Sequence, residues 1–226
     1  RMLDHVADHR CRGYVALLCA RHQIYQLTLF HLLSDRRLCA LQLDQGIQKL
    51  YEGSGVIKVC FYGPESTGKS FLAEKLASTY KTEFVPEVAR EFITSNDFTV
   101  DDIIRIGHQQ ARRVKQKAKA ANRVLFCDTD LITTQIYSNQ YLGVVPPVLF
   151  ELEKEIQYDR YFLFNIDIPW IADGLRDLGE KREEMFSIFK GELDKRKISY
   201  VLVSGNYEER ERIVRNEVDR LLNDEE

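Results

Sequence analysis

From Val56 onward, short apolar runs alternate with longer stretches in which apolar residues recur every three or four positions. The first run, Val56-Ile57-Lys58-Val59-Cys60-Phe61-Tyr62, is β-branched and almost wholly apolar, the pattern of a strand buried on both faces. Further strands are predicted at Glu83–Pro86, Arg123–Cys127, Tyr161–Ile166 and Ser199–Val203. Helical spacing begins at Phe71–Ala77. It returns over Val100–Ala121, Leu131–Tyr141, Pro147–Gln157, Lys181–Arg196 and Tyr207–Leu222. Strands alternating with helices predict an α/β fold, with a parallel five-stranded sheet flanked by helices and joined by right-handed crossovers.

Residues 1–54 follow another pattern. Apolar clusters at Tyr14–Cys19, Ile24–Leu33 and Leu38–Leu43 predict two or three short helices, a small N-terminal extension hinged at Gly53-Ser54-Gly55 to a domain spanning 55–226. Cys19-x-x-His22 with Cys11 and His31 has the residue types of a zinc site, but this spacing is weak evidence for one. Asp4 and Asp8 argue against a transit peptide, and the broken apolar stretch against a signal peptide. No role is assigned to this extension.

Composition then narrows the classes. At 44% hydrophobic and 11% aromatic, 226 residues build a core, which excludes a wholly disordered chain. A net charge of −3 excludes a global basic field for nucleic acid. No run of 18 apolar residues occurs, so a membrane-spanning helix is not expected. Five cysteines, an odd number without any Cys-x-x-Cys, point to a reduced, cytoplasmic protein.

The chemistry starts after the first strand. Gly63-Pro64-Glu65-Ser66-Thr67-Gly68-Lys69-Ser70 matches G-x-x-x-x-G-K-[ST], between a strand and a helix as its mechanism requires. The glycines let the backbone curl, so that successive N–H groups of Glu65, Ser66, Thr67 and Gly68 face one phosphate. The helix N-terminus adds its dipole there. Lys69 would neutralise β- and γ-phosphate oxygens, and the Ser70 hydroxyl would complete a Mg²⁺ shell. This is the fold and site of a P-loop NTPase. No Asn-Lys-x-Asp guanine motif occurs, which favours ATP. A second magnesium carboxylate is expected at a strand end, and Val124-Leu125-Phe126-Cys127-Asp128 supplies one. Asp130, two residues on, suits a metal, a ribose hydroxyl or a helix cap.

Four ordered segments carry a resemblance. The loop is followed by Val85-Pro86-Glu87-Val88-Ala89-Arg90-Glu91-Phe92, by Gly107-His108-Gln109 and by Phe126-Cys127-Asp128-Thr129-Asp130-Leu131-Ile132-Thr133-Thr134-Gln135. Together with Asp173-Gly174-Leu175-Arg176 and Ser204-Gly205-Asn206-Tyr207, this set resembles the ribosylnicotinamide kinase domain of NadR-type proteins, a group of AAA-like P-loop ATPases. The resemblance spans roughly Gly55 to Leu222 and is to the kinase module alone. It implies transfer of the ATP γ-phosphate to the 5′-hydroxyl of nicotinamide riboside, giving nicotinamide mononucleotide, with no nucleic-acid or membrane partner.

Within that resemblance the residues take roles. Glu87, just after the second strand, is the base or the ligand that orients the riboside hydroxyl. Arg90 lies one turn on, to pair with Glu87 or bind the product phosphate. Gln109 offers an amide to the nicotinamide carboxamide. Arg176 is the lid arginine for the transferring phosphoryl, with Arg182 as alternative. Trp170 packs the riboside or serves a hinge. Asn206 and Tyr207 frame the adenine, unless Asn206 caps the last helix. The competing readings are a nucleotide-dependent switch acting on a partner and a kinase of another nucleoside.

Overall fold

The computed structural model describes residues 55–93, 95, 97–171 and 177–224. The helical extension expected over 1–54 lies outside the described residues. Five strands, β1 (Ile57–Tyr62), β2 (Phe84–Val85), β3 (Val124–Asp128), β4 (Arg160–Phe164) and β5 (Tyr200–Val203), form one sheet in the order β2-β3-β1-β4-β5. Every neighbouring pair is parallel. The helices are α1 (Lys69–Tyr80), α2 (Ala89–Phe92), α3 (Val100–Ala118), α4 (Leu131–Leu142), α5 (Pro147–Glu155), α6 (Arg182–Arg196) and α7 (Tyr207–Asn223), with a 3₁₀ turn at Gly179–Lys181.

The two-residue period of the strands sorts their side chains between two layers. Ile57, Val59 and Phe61 of β1 join Val124 and Phe126 of β3 and Phe162 and Phe164 of β4 under α1 and α7. The intervening Cys60, Tyr62 and Leu163 meet α4 and α6, where Ile136, Met185 and Phe189 close the layer. Leu125 and Cys127 of β3 meet Ile103 and Val114 of α3 and Leu149 of α5. Both faces are thus covered, which is why β1 and β3 read as continuous apolar runs.

Element ends differ from the sequence reading where local chemistry intervenes. β2 stops at Val85 because Pro86 has no N–H to continue the ladder. The predicted Phe71 helix starts earlier, at Lys69, directly after left-handed Gly68. The predicted Val100–Ala121 helix opens on a capping box between Thr99 and Asp102 and ends at Ala118.

After β1 the chain builds one side of the sheet with β2 and β3, then the other with β4 and β5. The crevice for a ligand therefore lies at the carboxyl ends of β1 and its neighbours. Asp128 is level there with Phe61, its register partner across β1 and β3.

Candidate active site

The phosphate loop has the backbone its glycines allow. Gly63 has φ 134°, and a Cβ there would lie 2.9 Å from the Phe164 carbonyl oxygen. Gly68 has φ 81° and turns the chain into α1. Lys69 opens that helix and folds back over the loop. Its Nζ donates to the Pro64 carbonyl at 2.5 Å and to Thr67 Oγ1 at 3.2 Å. Thr67 Oγ1 itself donates to the Pro64 carbonyl at 2.9 Å.

Glu65 and Ser66 have further engagements. Glu65 Oε1 accepts from the Leu178 amide at 3.0 Å, and Ser66 Oγ accepts from the Ile171 amide at 2.7 Å. Arg176, together with Asp173, Gly174 and Leu175, lies outside the described residues. Arg182, the alternative lid arginine, is engaged with backbone, donating to the carbonyls of Ile168 at 2.6 Å and Ser66 at 3.1 Å.

Loop and acceptor residues share one cavity of about 350 Å³. Its lining includes Gly63, Glu65, Ser66, Thr67, Gly68, Lys69 and Ser70 of the loop. The same lining includes Glu87, Arg90, Phe98, Gln110, Tyr137 and Tyr141. Glu87 accepts a hydrogen bond from Arg90 Nε at 2.8 Å. The next acid, Glu91, takes a bidentate pair from Arg113 of α3, which fastens the short α2 to the long helix.

Asp128 is fully buried, and neither carboxylate oxygen has a well-aligned hydrogen-bond partner. Burial, then Glu87, push its pKa up to about 6, against the pull of Lys69, Ser70 and Arg90. An orphaned buried carboxylate beside the last hydroxyl of the phosphate loop has the oxygen chemistry of a magnesium site.

Asp130 does different work. Its Oδ1 accepts from the Thr133 amide at 2.8 Å and the Thr133 hydroxyl at 2.9 Å, capping α4. Its Oδ2 accepts from Tyr161 at 3.0 Å. Both Asp130 oxygens are thus taken by protein donors, and Asp130, like Asp128, does not line the cavity.

Three other expectations change. Gln109 does not line the cavity; Gln110 does, buried at 2% exposure, with Nε2 donating to the Thr129 carbonyl at 3.3 Å. One helical position is a rotation of about 100°. Trp170 is absent from the lining although Pro169 and Ile171 belong to it. Its ring lies against Gly179, where an added Cβ would meet it at 3.0 Å. Asn206 caps α7 in a box with Glu209, accepting from the Glu208 and Glu209 amides at 3.0 Å each. Tyr207 does reach the cavity. It sits over Gly68 and meets Phe71 edge-on, with ring centres 5.7 Å apart.

The sequence does not single out Arg210, a residue of the last helix. At 1% exposure its guanidinium serves the carbonyls of Thr67, Gly205 and Asn165. No signal in the sequence marks it, because only the fold gathers those carbonyls around it.

Fold and loop define a P-loop nucleotide-binding protein of the α/β class. A family model described as AAA domain matches residues 58–210, and the chain belongs to that family. It is similar to the trifunctional NAD biosynthesis/regulator protein NadR of Escherichia coli strain K12. The two are 34% identical over 155 residues, 64% of this chain and 37% of the relative. Two solved structures share the fold. A NadR protein in complex with NR matches at TM-score 0.58 and 24% identity, over 77% of this chain and 55% of that one. A NadR protein in complex with NAD and AMP-PNP matches at TM-score 0.62 and 22% identity, over 84% and 57%. The chain thus spans little more than a third of the curated relative and just over half of the solved chains. Among the described residues no helix is long and apolar enough to cross a membrane.

Proposed function

We propose that this chain transfers the γ-phosphoryl group of ATP to the 5′-hydroxyl of nicotinamide riboside, giving nicotinamide mononucleotide. The observation that carries the reading is the shared cavity, lined both by the Lys69 loop and by the Glu87–Arg90 pair. A donor phosphate on the loop and an acceptor hydroxyl at Glu87 would meet in that one cavity, and phosphoryl transfer needs little more than such positioning and charge neutralisation. The likeness to NadR proteins bound to NR, and to NAD with AMP-PNP, supports the choice of acceptor and donor.

Each residue then has a task. Loop amides and Lys69 hold the β- and γ-phosphates. Glu87 accepts or orients the proton of the attacking hydroxyl, held in place by Arg90. Arg90 is also the described cation best placed to meet the product phosphate. Gln110, rather than Gln109, offers its amide to the nicotinamide carboxamide. Tyr207 and Phe71 present an aromatic edge to the adenine. Ser70 and Asp128 would hold Mg²⁺, which supplies charge neutralisation between the phosphates. We assign the protein to the cytoplasm; Cys60 and Cys127 are free and buried, in keeping with a reducing compartment.

Release of ADP with a panel of nucleosides tests the reading. Turnover is expected with nicotinamide riboside above adenosine, cytidine and thymidine. Turnover only with another nucleoside would replace the substrate. ATP hydrolysis indifferent to every nucleoside would favour the switch reading.

A further inference from the structure

Two arginines outside the loop motif stand behind it. Arg210 Nη1 donates to the Thr67 carbonyl at 2.9 Å, Nε to the Gly205 carbonyl at 2.7 Å and Nη2 to the Asn165 carbonyl at 3.1 Å. Nη2 also pairs with the Asp167 carboxylate. Arg182 Nη2 donates to the Ser66 carbonyl at 3.1 Å, and its Nη1 to the Ile168 carbonyl at 2.6 Å. The carbonyls of two consecutive loop residues, Ser66 and Thr67, are therefore each held by a guanidinium.

The consequence follows from peptide geometry. In a planar trans peptide the C=O and N–H point in opposite directions, and no described peptide bond is cis. The Thr67 N–H shares its peptide with the Ser66 carbonyl, and the Gly68 N–H with the Thr67 carbonyl. Both N–H groups are thus turned away from the arginines. A hydrogen bond accepted at the carbonyl also polarises the peptide and strengthens its N–H as a donor. Ser66 sits at φ 56°, a left-handed conformation unfavourable for a residue with a Cβ. The ties from Arg182 to its carbonyl and from Ile171 to its hydroxyl hold it there.

We propose that Arg182 and Arg210 are positioning residues that preset the anion hole, acting through the Ser66–Thr67 and Thr67–Gly68 peptides without touching the nucleotide. This rests on the nucleotide-binding reading of the loop. Arg210 does more than Arg182, because it also holds Gly205, next to the turn that carries Tyr207. The phosphate end and the base end of the donor site are thereby tied to one buried side chain.

The test uses the full chain and the variants Arg182→Met, Arg210→Met and Arg210→Lys. Methionine keeps length and removes the donors; lysine keeps the charge but not the fork. Calorimetry would measure inorganic tripolyphosphate, ATP and nicotinamide riboside, and NMR the Thr67 and Gly68 amides of the ligand-free protein. Both methionine variants are expected to move those amides upfield. They should weaken tripolyphosphate and ATP by about 10- to 100-fold, as for loss of a charge-assisted hydrogen bond, and leave riboside affinity unchanged. Arg210→Lys should recover part of the loss. A folded Arg182→Met that keeps wild-type tripolyphosphate affinity and unmoved amides overturns the proposal, as does equal weakening of riboside. If the buried Arg210→Met fails to fold, the half-buried Arg182→Met decides. Wild-type protein that binds neither tripolyphosphate nor ATP would sink the nucleotide reading instead, and the amide shifts would still decide whether the arginines polarise the loop.

Discussion

The residues that line the cavity are contributed in two opposite ways. One continuous segment, Gly63–Ser70, supplies a site made mostly of backbone, with side chains such as Arg182 and Arg210 fixing it from behind. The rest of the lining is dispersed: Glu87 stands before α2, Phe98 before α3, Gln110 on α3 and Tyr137 on α4. Those side chains come together only because α2 is fastened to α3 through Glu91 and Arg113, and α4 is capped by Asp130. A contiguous backbone site tolerates change in its surroundings as long as its own conformation is held. A dispersed side-chain site depends on the rotation and seating of every helix that contributes to it.

The largest effect should come from removing the one cation of the loop, Lys69. Lys69 is 8% exposed and holds the Pro64 carbonyl and Thr67 hydroxyl. Lys69→Ala is expected to lower ATP turnover by on the order of 10³, the scale seen when one transition-state donor is lost. The fold should survive, because Lys69 contributes no apolar core contact. Steady-state rates with circular dichroism as a control would measure this, and a wild-type rate would refute the phosphate assignment.

Glu87→Gln comes next and belongs to the dispersed side chains. It keeps the shape of the Arg90 pair and loses the basicity. General-base terms run from about 10² to 10⁴, and a loose transition state favours the lower figure. kcat should fall by about 10² with ATP affinity unchanged, whereas Asp128→Asn should also alter the magnesium dependence. Normal turnover of nicotinamide riboside by the Glu87 variant would pass the role of base to Asp128.

Legibility followed the same division. The loop, the strand before it and the helix after it are visible in a single window of sequence, because the glycines, the lysine and the serine stand at fixed spacing between an apolar run and a helical one. The sheet was legible too, since strands covered on both faces must be apolar throughout. Arg210 was not. Nothing in Tyr207-Glu208-Glu209-Arg210 separates a guanidinium that satisfies buried carbonyls from one in solvent, and only the fold brings Thr67, Asn165 and Gly205 around it. The two carboxylates of the Asp-x-Asp at β3 were not separable for a related reason. Asp128 ends a strand and is buried there, whereas Asp130 turns back to cap a helix.

That pair gives a stability test. Burial raises Asp130 from its ordinary 3.8 to about 6. The folded state then holds this proton more tightly than the unfolded chain, so the contribution falls as pH rises between those values. The cost of the charged form above them is bounded at about 3 kcal/mol. Asparagine caps helices about as well as aspartate, so Asp130→Asn should gain on the wild type as pH goes from about 4 to about 7. Glu91, Glu192 and Glu217, whose pKa values are lowered by arginine and lysine partners, push both proteins the other way and cancel in the difference. Paired thermal melts across that range would measure it; a difference independent of pH would show that Asp130 does not titrate as its burial implies.

The smallest effect separates two adjacent residues. Gln109 and Gln110 differ by one position on α3, and only Gln110 faces the cavity. Its Nε2 is used by the Thr129 carbonyl, which leaves Oε1 to accept from the carboxamide in the proposed reading. Losing one such neutral hydrogen bond costs about 1 kcal/mol, or roughly fivefold to tenfold in affinity. Gln110→Ala should therefore raise the KM for nicotinamide riboside by that factor and leave the KM for ATP alone. Gln109→Ala should change neither. Steady-state kinetics with each substrate varied in turn distinguish the outcomes. Equal losses from both variants would mean that α3 is disturbed as a whole. A loss confined to Gln109→Ala would mean that the helix is rotated from the position that puts Gln110 in the cavity, which would also move Ile103 and Ile106 out of it.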